Sequence, residues 1–291
     1  MKNSDIRIVS GGGLGDALLF TPLFRAIKEQ RLDARITVYC SFNSHYEIYL
    51  HNPYIDRLKK PGRLNKAERL FLTSFRLAKL HMPNYAVLMP SLFYSKNAAE
   101  VIAEMFDITL EHKQLMIFLT REEEEIGKRF VSRYSTPVAI HVTGRSSPNK
   151  NWPISYWGEL VRQNPQYTFL QLGVPSEELI PGAVDLRVGL PQLRAQLAVL
   201  KYARAFVGVD SSFAHATNAF EIPGVILFGP STPQIWGHPN NRNLYLGLSC
   251  APCLEILQGT PCPYGAPCMS GISVLEVERA LAQQLSYSCQ R

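Results

Sequence analysis

The stretch Phe206–Gly237, FVGVDSSFAHATNAFEIPGVILFGPSTPQIWG, decides how the rest of the chain is read. Phe206–Val209 is a short run of strand-forming residues. Asp210, Ser211 and Ser212 follow, residue types that favour helix starts because their side chains bond free backbone N–H groups. Phe213–Phe220, with Ala214, Ala216 and Ala219, predicts a helix, and Ile222-Pro223-Gly224 ends it. Val225–Phe228 is a second apolar strand, closed by Gly229-Pro230. Strand, helix and strand make a βαβ unit. In sheets built from such units, ligands sit beyond the carboxyl ends of the strands. Those ends carry Asp210, Ser211, Ser212, Gly229, Ser231 and Thr232. Because free N–H groups at a helix start attract phosphate, the stretch predicts a nucleotide or phosphate site.

The same rhythm runs outward in both directions. In the first half, Ile6–Ser10 is a strand, Gly11–Asp16 a glycine turn, and Leu19, Leu23 and Ile27 mark one face of a helix. Pro22 either kinks that helix or opens a second one. Arg35–Tyr39, Ile55–Leu58 and Tyr85–Met89 read as strands, and His45–Leu50, 64–80 and 97–106 as helices. The helix over 64–80 is amphipathic and basic; its charged side is either solvated or turned to a membrane or acceptor. An acid-rich start at Glu122–Glu125 suits a helix N-terminus. Strands restart at Val138–Val142, Thr168–Leu172 and Val184–Leu186, with helices at Tyr156–Asn164, Leu193–Leu200 and Val274–Leu285. The expectation is an α/β chain of two Rossmann-like, doubly wound domains, 1–130 and 131–291, within a dividing region of 110–137.

Polar residues gather in four loops after strands: Gly13–Asp16, Thr143–Lys150, Gly173–Glu178, and Asp210–His215 with Gly229–Thr232. Lys150 could neutralise a diphosphate, and Ser231 and Thr232 could bond its oxygens. Glu177 or Glu178 could take a base or ribose hydroxyl. Asp16 could act as a general base. Plain structural roles compete: Asp16 and Asp210 as helix caps, His215 as a hydrogen-bonded core residue. The glycines of Gly11–Asp16 do not fit the dinucleotide fingerprint, because Asp16 stands where the third glycine belongs. No G-x-x-x-x-G-K-[ST] loop and no G-x-S-x-G elbow occurs. Asp210, Ser212 and His215 lie within one helix start and cannot form a Ser–His–Asp line.

The chain has 291 residues and a net charge of +6, which favours anionic partners such as sugar nucleotides, nucleic acid or acidic membranes. The N-terminus lacks the apolar core of a signal peptide, and no run reaches the roughly 18–20 apolar residues of a membrane span, so the expected location is the cytoplasm. Of six cysteines, four form Cys250-x2-Cys253-x8-Cys262-x5-Cys268. Four thiolates at such spacings can close a tetrahedral structural zinc or iron site, or remain partly buried thiols or one disulfide.

Several motifs, in order, resemble glycosyltransferase family 9, the bacterial ADP-heptose heptosyltransferases. They are GGLGDALLFTPLFRAIK at 12–28, K-N-W-P at Lys150–Pro153, GVDSSFAHATNA at Gly208–Ala219, LFGPSTPQIWG at Leu227–Gly237, and the cysteine-rich tail. The resemblance implies a GT-B architecture with an interdomain cleft, the first domain taking the acceptor and the second the nucleotide sugar, and a final helix returning towards the first domain. It implies an inverting transfer of heptose from ADP-heptose, with Asp16 as general base. It also implies a donor site of Gly13, Gly15, Thr143, Lys150, Glu178, Asp210, Ser211, Ser212, His215, Gly229, Pro230, Ser231 and Thr232, with no metal required for catalysis. Implied partners are the nucleotide sugar and an acceptor that is a lipid-linked saccharide of lipopolysaccharide type, a protein or a small molecule. Peripheral contact at the inner face of the cytoplasmic membrane is expected, and nucleic acid is not. A comparable cysteine cluster holds iron in a protein-glycosylating branch. The sequence departs from the family where D-T-G becomes Asp210-Ser211-Ser212, where the acidic residue after G-P-T is replaced in G-P-S-T-P, and in a shorter first domain. A non-catalytic sugar-nucleotide binder and a nucleotide-sugar epimerase of the same architecture are the competing expectations.

Overall fold

The computed structural model describes residues 5–62, 96–253 and 259–288. The basic helix expected over 64–80 and the strand expected at 85–89 lie outside the described residues. The chain divides into two compact units, Met1–Leu119 and Thr120–Arg291. No helix among the described residues is long and apolar enough to cross a membrane.

In the first unit, β1 (Asp5–Ser10), β2 (Arg35–Cys40) and β3 (Arg57–Lys59) form a parallel sheet in the order β1-β2-β3. Ile8, Ile36 and Val38 are fully buried on it. The glycine turn leads into a helix at Leu14–Leu19, and a second helix, Thr21–Gln30, starts after Phe20. Pro22 therefore opens a helix, since a residue without an N–H costs nothing in the first turn. Thr21 Oγ1 fastens the joint by donating to the Leu18 carbonyl at 2.7 Å and accepting the Met116 N–H at 2.9 Å.

The second unit opens at Thr120, eleven residues ahead of the 130/131 division read from the sequence and inside the dividing region of 110–137. Thr120 caps the helix Arg121–Val131, and Glu123 returns a bond to the Thr120 N–H. That helix packs on Leu193–Tyr202, with Gly127 against Ala198 and ion pairs Arg194–Glu123 and Lys201–Glu124. Its partners lie some seventy residues onward, so no local pattern assigns it.

The sheet of the second unit contains β4 (Pro137–His141), β5 (Thr168–Gln171), β6 (Val184–Asp185), β7 (Ala205–Val209), β8 (Gly224–Phe228) and β9 (Asn241–Tyr245). All pairs are parallel, in the order β6-β5-β4-β7-β8-β9. Renumbered from β4, this is 3-2-1-4-5-6, the doubly wound Rossmann order, and the order reverses between β4 and β7. β4, β7 and β8 are buried along their whole length, as expected of strands covered on both faces. Trp152, Trp157, Leu160 and Phe169 pack with Val277, Ala280 and Leu281 of the helix Val274–Ser288 in one core. Each such large side chain contributes about 1.5–3 kcal/mol. Trp152 Nε1 donates to the Ile272 carbonyl at 2.9 Å, fixing the K-N-W-P turn to the start of that last helix.

Candidate active site

The reversal of strand order opens a crevice at the carboxyl ends of β4 and β7. Two loops arrive there. The one after β4 runs through Thr143 and Gly144 into the short turn Pro148–Lys150; the one after β7 is Asp210-Ser211. Lys150 Nζ lies 2.8 Å from Asp210 Oδ2, with both side chains almost wholly buried. Ser231, in the loop after β8, donates its hydroxyl to the same carboxylate oxygen at 2.6 Å. Burial would raise the pKa of Asp210. The charges of Lys150 and His215 and the bonds from Lys150 and Ser231 more than offset it, and hold the carboxyl below its ordinary 3.8. Asp210 is thus no helix cap. Ser211 stands at the cap position of the helix Ser212–Ala219, yet its side chain makes no capping bond.

Ser211 Oγ pairs instead with His141 Nδ1, the last residue of β4, at 2.9 Å. Across that ring, Glu177 Oε2 approaches His141 Nε2 to 3.6 Å, beyond hydrogen-bond reach, and among the described residues this buried oxygen has no hydrogen-bond partner. Buried polar atoms seldom lack a partner, so Glu177 Oε2 is a ready acceptor for a ligand hydroxyl or N–H. Gly173, at φ +132, makes room for it: a side chain there would run into the Glu177 carboxylate. Glu178 is exposed, and only its carbonyl is engaged, by Gln171 Nε2. Of the two glutamates left open by the sequence, Glu177 is the one built into the crevice, and Glu178 is not.

His215 is buried beside this cluster. Its Nδ1 lies 2.8 Å from His238 Nε2, and the two rings meet edge to face. Burial drives both pKa values down, His215 to about 4 and His238 to about 3, so both rings are neutral at pH 7 and one donates to the other. Ser212 is half-buried at the first position of its helix. Thr232 accepts the Gln234 N–H at 3.3 Å and caps the short helix Pro233–Trp236, so its hydroxyl has a structural task. Gly229 and Pro230, in the same loop as Ser231, are buried, and Gly229 lies against Met269 and Cys268.

Gly13, Gly15 and Asp16 belong to the first unit. Asp16 is half-buried, and its Oδ2 accepts the Gly13 N–H at 2.6 Å, closing the turn after β1. Gly12 adopts φ +77, and a side chain there would strike that carboxylate. Below the turn, Ser10 Oγ bonds His45 Nδ1 at 3.0 Å and Tyr49 Oη at 2.8 Å. Burial pulls the His45 pKa down, against its backbone bonds to Ser10, Gly13 and Gly12 and the charge of Asp16. His45, His141, Glu177 and His238 were not singled out by local sequence, or not chosen. The side-chain hydrogen-bond partners of His45, His141 and His238 lie 35, 70 and 23 residues away, at Ser10, Ser211 and His215.

The four clustered cysteines share one neighbourhood: burial first, then the charges of Cys253, Cys250 and Cys262, pushes the Cys268 thiol up to about 11. Yet among the described residues no three His, Cys, Asp or Glu side chains are grouped to hold a metal ion; Cys250, Cys253, Cys262 and Cys268 are free thiols of graded exposure, the second of the readings that their spacing left open.

Residues 93–262, more than half of the chain, match the family described as Glycosyltransferase family 9 (heptosyltransferase). The chain belongs to glycosyltransferase family 9. The family match contains Thr143, Lys150, Glu177, Asp210, His215 and Ser231; Asp16 and Cys268 lie outside it. Lipopolysaccharide heptosyltransferase 1 of Pseudomonas aeruginosa is 32% identical over 131 residues, 41% of this chain and 37% of that protein. The Escherichia coli K12 protein of the same name is 27% identical over 172 residues, 51% of this chain and 52% of that one. The chain thus spans about half or less of the length of the curated relatives it matches. The solved family 9 glycosyltransferase of Veillonella parvula superposes with a TM-score of 0.72 at 17% identity, covering 99% of both chains. The iron-containing heptosyltransferase TibC, solved with ADP-D-beta-D-heptose, superposes at 0.69 and 15% identity, over 98% of this chain and 77% of that one. At such identities these likenesses establish the GT-B α/β fold of the family.

Proposed function

We propose that the chain transfers a heptose from ADP-heptose to an acceptor hydroxyl with inversion. The observation that carries the reading is the buried Lys150–Asp210–Ser231 cluster at the β4/β7 crevice. A buried lysine held, among the described residues, by one carboxylate at the carboxyl ends of β4 and β7 is poised to exchange that partner for a diphosphate. On donor binding, Lys150 and the hydroxyl of Ser231 turn to the phosphate oxygens, and Asp210 is released to accept a sugar hydroxyl. Glu177 takes a ribose hydroxyl in the same reading, while Thr143, Ser211, Ser212 and His215 line the donor. Asp16, from the first unit, takes the proton of the acceptor hydroxyl as its oxygen bonds the anomeric carbon. The anomeric C–O bond breaks and ADP leaves, its growing charge neutralised by Lys150 and loop N–H groups. This chemistry draws only on the chain's own residues.

Lipopolysaccharide heptosyltransferase 1 and the ADP-heptose complex of TibC support the donor assignment. The acceptor class we favour is a lipid-linked saccharide at the cytoplasmic face of a membrane, met by a chain of net charge +6. Incubation with ADP-heptose, GDP- and UDP-sugars, with and without deacylated lipopolysaccharide core, tests the reading. ADP release that requires both ADP-heptose and acceptor is expected; conversion of donor alone would make the chain an epimerase. The bond from Gly13 to Asp16 favours one competing reading, a sugar-nucleotide binder in which Asp16 only closes a turn. That reading predicts ADP binding without turnover of any donor.

A further inference from the structure

Asn149 stands directly before Lys150, and its side chain is buried. Both ends of its amide are engaged by the cysteine-rich segment more than a hundred residues onward. Nδ2 donates to the Thr260 carbonyl at 2.8 Å, and Oδ1 accepts the Cys262 N–H at 2.7 Å. The segment is anchored a second time where the Cys253 N–H donates to the Pro230 carbonyl at 2.8 Å. Pro230 precedes Ser231 as Asn149 precedes Lys150. The two side chains that donate to Asp210 Oδ2 are therefore each adjacent to a residue bonded by the cysteine-rich segment, Pro230 by Cys253 and Asn149 by Thr260 and Cys262. The Lys150 turn is closed on itself by Ser147 Oγ on the Asn149 N–H, Asn151 Oδ1 on the Gly144 N–H and the backbone bonds of Ser147, Lys150 and Asn151 to Gly144, Ser147 and Pro148; outside the turn, Trp152 ties it to Ile272, while Arg145 and Ser146 are exposed.

We infer that the cysteine-rich segment braces the donor-phosphate loops and that Asn149 is the positioning residue that latches it to Lys150. The inference rests on the donor reading given above. A latched turn presents Lys150 and Ser231 already ordered, so binding does not have to immobilise them. Coupling of this kind is reciprocal: a diphosphate on Lys150 and Ser231 also holds the segment closed. Cys250 is exposed and Cys262 half-buried, so their alkylation rates report the state of the brace in the full chain.

The test uses the full-length protein and the variants Asn149→Leu and Asn149→Ala, neither of which adds a charge beside Lys150. Calorimetric titration with ADP and iodoacetamide alkylation of Cys262, followed by mass spectrometry with and without ADP, are the readouts. We expect both variants to bind ADP about tenfold more weakly. They should raise the donor KM more than they lower kcat, alkylate faster at Cys262, and lose the protection that ADP gives the wild type. Wild-type binding of ADP with equal binding by both variants overturns the inference. Should the wild type bind no ADP, the donor reading fails instead, and the latch is judged by ligand-free alkylation, where equal rates in all three proteins overturn it. Should both variants unfold, wild-type Cys262 that ADP fails to protect overturns it.

Discussion

Lys150 Nζ and Asp210 Oδ2 meet at 2.8 Å across the line where the strand order reverses, one from the loop after β4 and the other from the loop after β7. Removing one member of such a buried pair strands the other's charge, which costs about 3–5 kcal/mol. Lys150→Met should therefore destabilise the fold by roughly 3 kcal/mol in urea unfolding, and Lys150→Met with Asp210→Asn by clearly less than the sum of the two single changes. Additive effects in that cycle would mean the pair is not coupled.

The histidine pair predicts an acid-sensitive fold. His215 and His238 titrate at about 4 and about 3 when folded, below the ordinary 6.5. Between those values the unfolded chain binds more protons than the folded one. Their contribution to stability is thus complete above pH 6.5 and is lost as the pH falls towards the folded values, at up to about 1.4 kcal/mol per pH unit for each ring. Asp210, whose folded pKa is lowered, adds a further loss only as the pH drops below about 4. His238→Gln should roughly halve the slope of unfolding free energy between pH 6 and 4.5; an unchanged slope would place the sensitivity elsewhere.

Asp16 has two tasks in the proposed reaction, and two substitutions separate them. Asp16→Asn keeps an oxygen for the Gly13 N–H but cannot take a proton. It should lower kcat by about 10²–10⁴ while leaving the melting temperature near that of wild type. Asp16→Ala should lose both activity and about 1 kcal/mol of stability. Retained turnover in the Asn variant would restrict Asp16 to closing its turn. ADP affinity should be unaffected in either case.

The two adjacent glutamates should behave differently. Glu177→Gln replaces the unpartnered buried oxygen beside His141 and should weaken ADP binding about tenfold, within the range of a hydrogen bond to a charged group. Glu178→Gln, at an exposed position, should leave it unchanged. Equal behaviour of the two variants in a calorimetric titration would remove Glu177 from the site.

Much of the architecture is legible in the sequence because it is written locally. Apolar runs such as Val225–Phe228 and the breaks at Pro223-Gly224 and Gly229-Pro230 place strand ends within a residue or so. β9, Asn-Arg-Asn-Leu-Tyr, escapes such a reading, since its edge position leaves it half-exposed and polar. The residues that surround Asp210 are partly legible, since Lys150 and Ser231 stand in conspicuous loops after strands. His141 sits inside an apolar strand, VAIHV, where its bond to Ser211 and the approach of Glu177 have no local trace. The choice between Glu177 and Glu178 depends on the backbone at Gly173, which composition does not reveal. The cysteine spacing allows a metal site, free thiols or a disulfide, and nothing in it points to the bonds that the segment's backbone makes to Asn149 and Pro230.

The 3-2-1-4-5-6 order has a consequence for how the site comes into being during folding. Residues 137–202 supply the first three strands of this sheet and Lys150; residues 205–245 supply the other three, with Asp210 and Ser231. Each half therefore carries one sign of a charge pair that only the seam between halves can neutralise. A chain released after Tyr202 would hold Lys150 without Asp210, the carboxylate it meets in the complete sheet. The charge pair and the sheet are in this sense completed by the same strand pairing, β4 with β7.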